Sequence, residues 1–296
     1  MEKEFLVSVC IPSYNHAKYI QDCIRSVIRQ DYENIELIII DDGSTDGSTN
    51  LINELEAECR LRFKRFEIRS RANKGLCATL NEGLCWANGH FFSPIASDDI
   101  LLAHKTSYLV ERQKETKATV VFGSLQIIDA NNKVIGHKVK EGEHTFNEMF
   151  FLDNMPQAPA NLMLSSEIID IGGFAEDVKL EDLYMWLTLT DKGKKLVSFP
   201  KVVVQYRDHA FNTVKDEKKM HEARLAVLGK FRDNPLYADA MRNASLVAAR
   251  STSRYEIIYP LLRIFEYKKL DRRLMFVLLK IITPHMVINL IKKIVK

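Results

Sequence analysis

A chain of 296 residues, 46% hydrophobic and 27% charged, has the make-up of an ordinary globular protein, which excludes a disordered, collagenous or integral membrane chain. Its 42 Lys and Arg nearly balance 39 Asp and Glu, and a net charge of +3 gives no reason to expect nucleic acid as a partner. The length suits one large domain with an appendage or two modest ones, and charge is unevenly spread: from Arg263 to Lys296 nine Lys and Arg face only Glu266 and Asp271, a surplus of +7.

In chain order, Phe5 to Ile11 is an apolar, β-branched run stopped at Pro12, and Glu36 to Asp41 is a second, bounded by Asp42 and Gly43; both read as buried strands. Between them Tyr19, Ile20, Cys23, Ile24, Val27 and Ile28 recur at helical spacing, with Asn15 placed to cap that helix. The alternation continues with a helix from Ser48 to Cys59, a strand Phe66 to Arg69, a helix Gly75 to Ala87 and a strand Phe91 to Ala96. Strands alternating with helices imply a mostly parallel sheet covered on both faces. After Val120 to Phe122 and Leu125 to Ile128 the pattern loosens, with Gly136, Gly142, Pro156, Pro159, Gly172 and Gly173 marking mixed sheet and long loops. Leu183 to Thr190 reads as a helix, Lys195 to Tyr206 as strand, and the chain beyond Met220 as helical.

The five cysteines, Cys10, Cys23, Cys59, Cys77 and Cys85, lie in the first third with no C-x-x-C pair. They read as reduced and mostly buried, with no metal spacing and no His/Asp partner for a nucleophile. The N-terminal residues carry no signal-peptide pattern, which points to the cytoplasm. The most apolar window, Leu274 to Ile291, is broken by Lys280, Pro284, His285 and Asn289, whereas a spanning helix needs about 20 largely uninterrupted apolar residues.

In open α/β sheets, ligands bind at the carboxyl ends of the strands. Here those ends read Pro12-Ser13-Tyr14-Asn15, Asp41-Asp42-Gly43-Ser44-Thr45-Asp46 and Ser97-Asp98-Asp99. Each run also suits a turn or a helix cap, so none alone selects a function. Adjacent carboxylates at a strand end are also what holds a hard divalent cation against a diphosphate. No G-x-G-x-x-G follows the first strand, which argues against a dinucleotide-dependent oxidoreductase, and Pro12 to His16 is not the Gly-rich loop of a nucleotidyltransferase.

At these residues the chain resembles the family 2 inverting glycosyltransferases of the GT-A fold, of the bacterial surface-polysaccharide type. The similarity runs through VSVCIPSYNHAKYIQDCIRSVIRQ, ELIIIDDGSTDGS, NKGLCATLNEGLCWANGHFFSPIASDDI, GGFAEDVKLEDLYMWLTL and YRDH, covering residues 5–209. It implies a Rossmann-type α/β domain over 1–215 that binds a nucleotide sugar and carries catalysis, followed by a helical C-terminal region over 216–296. It implies that Pro12, Tyr14 and Asn15 border the base and that Asp42 accepts the imide N–H of uracil or thymine, which a carboxylate does not tell apart. Asp41 orients the loop. Arg71, Asn73 and Gly75 then line the nucleotide, with an ordinary helix start as the plainer reading of that stretch. The resemblance assigns Asp98 to ribose or donor sugar, Asp99 and His209 to Mn²⁺ or Mg²⁺, and Asp182 of the Glu181-Asp182 pair to the catalytic base. Ser97 stands where an Asp is frequent, and DHAFN after Arg207 departs from the family's Gly. An acidic first helical turn also explains the pair, a packing or surface histidine explains His209, and Trp186 reads as core.

From Pro284 onward Val287, Leu290, Ile291 and Ile294 line one helical face and Asn289, Lys292, Lys293 and Lys296 the other. Such a basic amphipath lies on an anionic membrane surface, or packs on its own domain or in a homodimer. With this tail, the resemblance implies a cytoplasmic enzyme peripheral to the inner face of the cell membrane, moving sugar from a UDP-type donor to a glycan or lipid-linked oligosaccharide in O-antigen or capsule synthesis. The rival reading is a non-catalytic nucleotide-sugar-binding or scaffold protein of the same fold.

Overall fold

The computed structural model describes residues 5–209 and 216–251. The expected helix over residues 284–296 and its basic surplus lie outside the described residues.

The chain opens with β1 (Val7–Ser13), α1 (Ile20–Ile28), β2 (Ile35–Asp41), α2 (Ser48–Asn53), α3 (Glu56–Arg62), β3 (Phe66–Ser70), α4 (Leu76–Trp86) and β4 (Phe91–Pro94). It continues through β5 (Ile100–Leu101), α5 (Lys105–Thr116), β6 (Val120–Ile128), β7 (Val134–Lys138), β8 (Gly142–His144), α6 (Phe146–Phe150), β9 (Asn161–Leu164), α7 (Ser165–Asp170), α8 (Glu181–Asp191) and β10 (Leu196–Arg207), then α9 (Glu217–Leu228) and α10 (Tyr237–Ser251). The strands form one 10-stranded mixed sheet in the order β3-β2-β1-β4-β9-β6-β10-β5, with β7 beside β6 and β8 beside β10. From β3 to β4 every pairing is parallel, as the βαβ alternation requires. Beyond β4 the sheet mixes, antiparallel at β4–β9 and β6–β9 and parallel at β6–β10.

Burial explains the parallel half. Every residue of β2 is buried, and α1 turns Ile20, Cys23, Ile24 and Val27 onto the core that Val9, Ile11, Leu37 and Ile39 build. Truncating a buried Leu or Ile of this kind to Ala costs about 2–5 kcal/mol.

Three details differ from the sequence reading. Asn15 does not cap α1, whose N-cap is Tyr19 with no side-chain bond; Asn15 sits at φ 53° and its Oδ1 accepts the Thr45 N–H at 2.9 Å, so its amide serves the neighbouring loop. The helix expected from Ser48 to Cys59 is two, because the chain breaks at Leu55, which is drawn into the core. The two strand pieces around Gly123 are one strand, because a Cβ at Gly123 would lie 2.3 Å from Val203 Cγ2, and its absence lets β6 and β10 close up. Register shifts in β10 flank Pro200, which donates no ladder bond.

A Cβ at Gly83 of α4 would lie 2.4 Å from Cys10 Sγ on β1, so this glycine sets the distance of the helix from the sheet. Gly→Ala inside a helix ordinarily stabilises by about 0.5–1 kcal/mol. Here overpacking of about 1–3 kcal/mol outweighs that gain. Gly83→Ala is therefore expected to lower the urea midpoint with the slope unchanged, and a raised midpoint would show that α4 moves out freely.

The described residues form two compact units: 5–149, 154–177 and 181–209 in the first, and 150–153, 178–180 and 216–251 in the second. Within the second, Phe150 meets Phe231 edge-on at 6.1 Å and Asn243 Nδ2 donates to the Phe151 carbonyl. Among the described residues no helix is long and apolar enough to cross a membrane.

Candidate active site

All the residues singled out as site candidates lie in the first unit: Pro12 in β1, others on the loops that follow β1, β2, β3 and β4, Asp182 on the first turn of α8, and His209 just past β10. Parallel pairing brings the first of these together: Ser13 is level with Asp41, and Asp41 with Ser70.

Asp42 is nearly buried, and its carboxylate is held by Arg71 Nη1 and the Lys74 N–H (2.8 Å) on Oδ1 and by the Gly75 N–H (2.9 Å) on Oδ2. Gly75 reaches this position at φ +92°. Arg71 is anchored in turn, with Nε on Glu82 Oε2 at 2.7 Å and Nη2 on Thr79 Oγ1 at 3.0 Å. Its guanidinium is thus directed at Asp42 and α4. A carboxylate offers roughly four lone-pair sites. Three are used, all but one, so Oδ2 retains capacity for a single further donor such as an imide N–H. Gly43 next door has φ +81°, and a Cβ there would lie 2.9 Å from the Asn73 backbone nitrogen, which seats the 41–46 turn against the 71–73 loop. Asp41 Oδ1 accepts the Ser44 N–H at 2.9 Å and so shapes that turn. Pro12 lies in β1, Tyr14 is half exposed at 49%, and Asn73 is exposed.

The turn after β4 separates the two aspartates that sequence reading had assigned. Asp99 was expected to ligate metal, but it is fully buried and its Oδ1 accepts the Arg207 N–H at 2.8 Å. Its Oδ2 has no partner, and burial, reinforced by the Asp98 charge, raises its carboxyl well above the usual range. Asp98, expected on ribose or donor sugar, has Oδ2 at 2.8 Å from His209 Nε2. The reason is one residue of turn: the Asp99 N–H bonds back to the Ala96 carbonyl at 3.1 Å, sending Asp99 into the sheet.

The cluster that results is His16, Asp98 and His209, one ligand atom from each lying within 4.8 Å of the others. His209 is fixed from behind. Its ring stacks on Tyr19 at 5.3 Å, and the Arg207 guanidinium covers Tyr19 at 4.5 Å while donating through Nε to the Asp98 carbonyl at 2.7 Å. Sequence reading missed His16, and took Tyr19 only as core. The signal for His16 was its place one residue beyond Tyr14-Asn15 at a strand end already marked as a ligand edge. Burial holds the His16 imidazole below its usual value, keeping it neutral.

Glu181 and Asp182 open α8. Burial raises both carboxyls, and the Asp182 charge adds to the effect on Glu181, which is pushed up to about 7. The Asp182 Oδ1 accepts the Leu183 N–H at 2.7 Å. The loop before α8 is tied to α4 by Asn81, whose Nδ2 donates to the Phe174 carbonyl and whose Oδ1 accepts its N–H. Burial, with the Glu181 charge next, raises the Cys77 thiol of α4 to about 11. Trp186 is core, 2% exposed and edge-on to Phe122 at 5.1 Å.

A parallel half-sheet whose carboxyl edge carries a donor-lined carboxylate, a His/Asp cluster and a raised acidic pair is the architecture of a GT-A nucleotide-sugar transferase. Residues 8–168 match the family described as Glycosyl transferase family 2, more than half of the chain, and this protein belongs to that family. It is therefore a glycosyltransferase. It is 28% identical over 234 residues to the UDP-Glc:alpha-D-GlcNAc-diphosphoundecaprenol beta-1,3-glucosyltransferase WfgD of Escherichia coli, covering 79% of this chain and 89% of that one. It is 33% identical over 128 residues to the glycosyltransferase GlyG of Streptococcus pneumoniae, 43% of this chain and only 41% of that one. In fold it is similar to S. aureus TarS 1-349 in complex with UDP-GlcNAc (TM-score 0.62, 15% identity, 88% of this chain and 89% of that one). It is also similar to the mannosyltransferase PcManGT of Pyrobaculum calidifontis in complex with GDP-Man and Mn²⁺ (TM-score 0.61, 14% identity, 94% and 85%).

Proposed function

We propose that the protein transfers a sugar from a UDP-type donor, with inversion, to a hydroxyl of a lipid-linked glycan acceptor in bacterial surface-polysaccharide synthesis. The observation that carries the reading is that the donor-lined Asp42 carboxylate and the cluster of His16, Asp98 and His209 stand beyond the ends of neighbouring strands of one sheet. The printed activity of WfgD, with its UDP-Glc donor and diphosphoundecaprenol-linked acceptor, supports the choice of donor and acceptor class.

In this reading Asp42 receives the imide N–H through the one acceptor site left on its carboxylate, and Pro12, Tyr14, Asn15, Arg71, Asn73 and Gly75 border or brace the nucleotide. The donor set of the cluster, a carboxylate and imidazole nitrogens, suits a divalent cation such as Mn²⁺. Asp98 and His209 would hold that cation, which would supply charge neutralisation on the departing diphosphate, worth several kcal/mol. Asp182 takes the proton of the acceptor hydroxyl as its oxygen bonds to the anomeric carbon, and the bond from that carbon to the diphosphate oxygen breaks with the electron pair leaving on UDP. A base placed across the sugar from the leaving group makes this a single displacement. The region 216–296 has no part in the chemistry; its basic amphipathic end brings the acceptor surface to residues 1–215, at the inner face of the cell membrane.

Release of UDP from a panel of nucleotide sugars, with undecaprenyl diphosphate-linked GlcNAc in anionic vesicles as acceptor, tests the reading. UDP-hexoses are expected to turn over. Deleting residues 284–296 is expected to abolish transfer on vesicles yet spare a short soluble acceptor analogue. Tight UDP binding without transfer to any acceptor would favour the non-catalytic reading, and undiminished vesicle transfer by the truncated chain would remove the membrane role of that segment.

A further inference from the structure

His16 is carried on a loop that is held rigid before any ligand arrives. The Asn15 N–H donates to Ser44 Oγ at 2.8 Å, the His16 N–H to Ser48 Oγ at 3.0 Å and the Ala17 N–H to Asp46 Oδ2 at 2.9 Å. The imidazole is oriented as well as the backbone. Its Nδ1 lies 2.7 Å from Ser97 Oγ, the residue beside Asp98, which leaves Nε2 as the ring nitrogen without that tie. Across the cluster the His209 ring lies 6.0 Å from the His16 ring at an interplanar angle of 82°, and is itself stacked on Tyr19. Three potential ligand atoms from three chain segments are thus gathered within 4.8 Å, with His16 held by Ser97 and His209 by Tyr19.

We propose that His16 is a third protein ligand to the cation of this site, so that a transition metal binds before the nucleotide does and Mn²⁺ is preferred to Mg²⁺. The inference rests on the metal-dependent donor reading given above. Mg²⁺ dehydrates reluctantly and is usually held by one or two carboxylates with the substrate's phosphates completing its shell, so a protein that supplies only Asp98 gains it chiefly together with nucleotide. Two imidazoles beside one carboxylate change that balance, because imidazole nitrogen favours the softer first-row metals over Mg²⁺. The Ser97 hydroxyl acts on His16 as outer-shell partners act on metal-bound histidines generally, fixing the ring and its tautomer, and loss of such a partner typically weakens metal binding 10- to 100-fold.

The test uses the full chain stripped with EDTA. Mn²⁺ is titrated with and without UDP while the free ion is followed by its EPR signal, and Mg²⁺ is added as competitor. Wild type is expected to bind one Mn²⁺ without UDP, at least about tenfold more tightly than Mg²⁺. His16→Asn is expected to lose at least about tenfold of that nucleotide-free affinity while Mg²⁺ binding in the presence of UDP changes less than about twofold. Ser97→Ala should weaken Mn²⁺ in the same direction. Pulsed EPR of Mn²⁺-loaded wild type should show two coordinated imidazole nitrogens, a readout that needs no variant to fold. One nitrogen, or equal affinity in wild type and His16→Asn, overturns the role of His16 and leaves the metal reading intact. Binding only with UDP removes nucleotide-independent loading in the same way. No Mn²⁺ binding with or without UDP overturns the metal reading itself, and this inference with it.

Discussion

Asp182→Asn is expected to lower kcat by about 10² or more and to leave UDP affinity near wild type, the pattern of an interaction made chiefly in the transition state. The reason lies in the pair at the start of α8. A base at pH 7 works best with a conjugate acid near that pH, and burial lifts both carboxyls toward it, with Glu181 at about 7. Because the two charges interact, the titration belongs to the pair. Transfer requires deprotonated Asp182, whose carboxyl burial raises, so kcat/KM should fall with pH at a point above the range of an unperturbed carboxylate. The sign for stability is the opposite one. Glu181 holds its proton more tightly in the folded chain than at its ordinary 4.5, so folding loses stability as pH rises from about 4.5 to about 7. Glu181→Gln should accordingly raise Tm more at pH 8 than at pH 5. If affinity and kcat fell together in Asp182→Asn, or if Glu181→Gln were the more damaging to kcat, Asp182 would not be the base.

Asp98→Asn is expected to cut transfer by about 10³, because the charge forming on the diphosphate would lose several kcal/mol of stabilisation. EDTA should do the same to wild type, and added Mn²⁺ should restore the chelated wild type but not the variant. The informative comparison is Asp99→Asn. An amide oxygen can still accept the Arg207 N–H that Asp99 receives, so Mn²⁺ affinity should stay within a few-fold of wild type, with any loss appearing in stability. Measuring UDP release against Mn²⁺ concentration for the two variants separates them. Loss of Mn²⁺ affinity in Asp99→Asn, with Asp98→Asn little affected, would return the ligand to the position the sequence alone had favoured.

What the sequence determines here is the frame. The apolar runs ending at Pro12 and Asp41, the helical spacing from Tyr19 to Ile28 and the alternation up to residue 96 specify the parallel half of the sheet, because burial on both faces and βαβ connection leave few alternatives. The polar strand ends therefore had to meet at one edge, and the family motifs were legible there. Tertiary structure decided how those residues are packed. Adjacent aspartates are indistinguishable by composition, and only the turn after β4 sends Asp99 to the backbone of β10 and leaves Asp98 facing His209. Asn15 had a helix-cap signature, but a neighbouring loop offered its amide a better partner. His16 and Tyr19 sit at least 79 residues before their partners Asp98, Arg207 and His209, a separation at which local pattern carries no information. Their placement comes from packing across the sheet edge, where the Tyr19 ring stacks on His209, the Arg207 guanidinium covers Tyr19 and the His16 ring meets His209 edge-on.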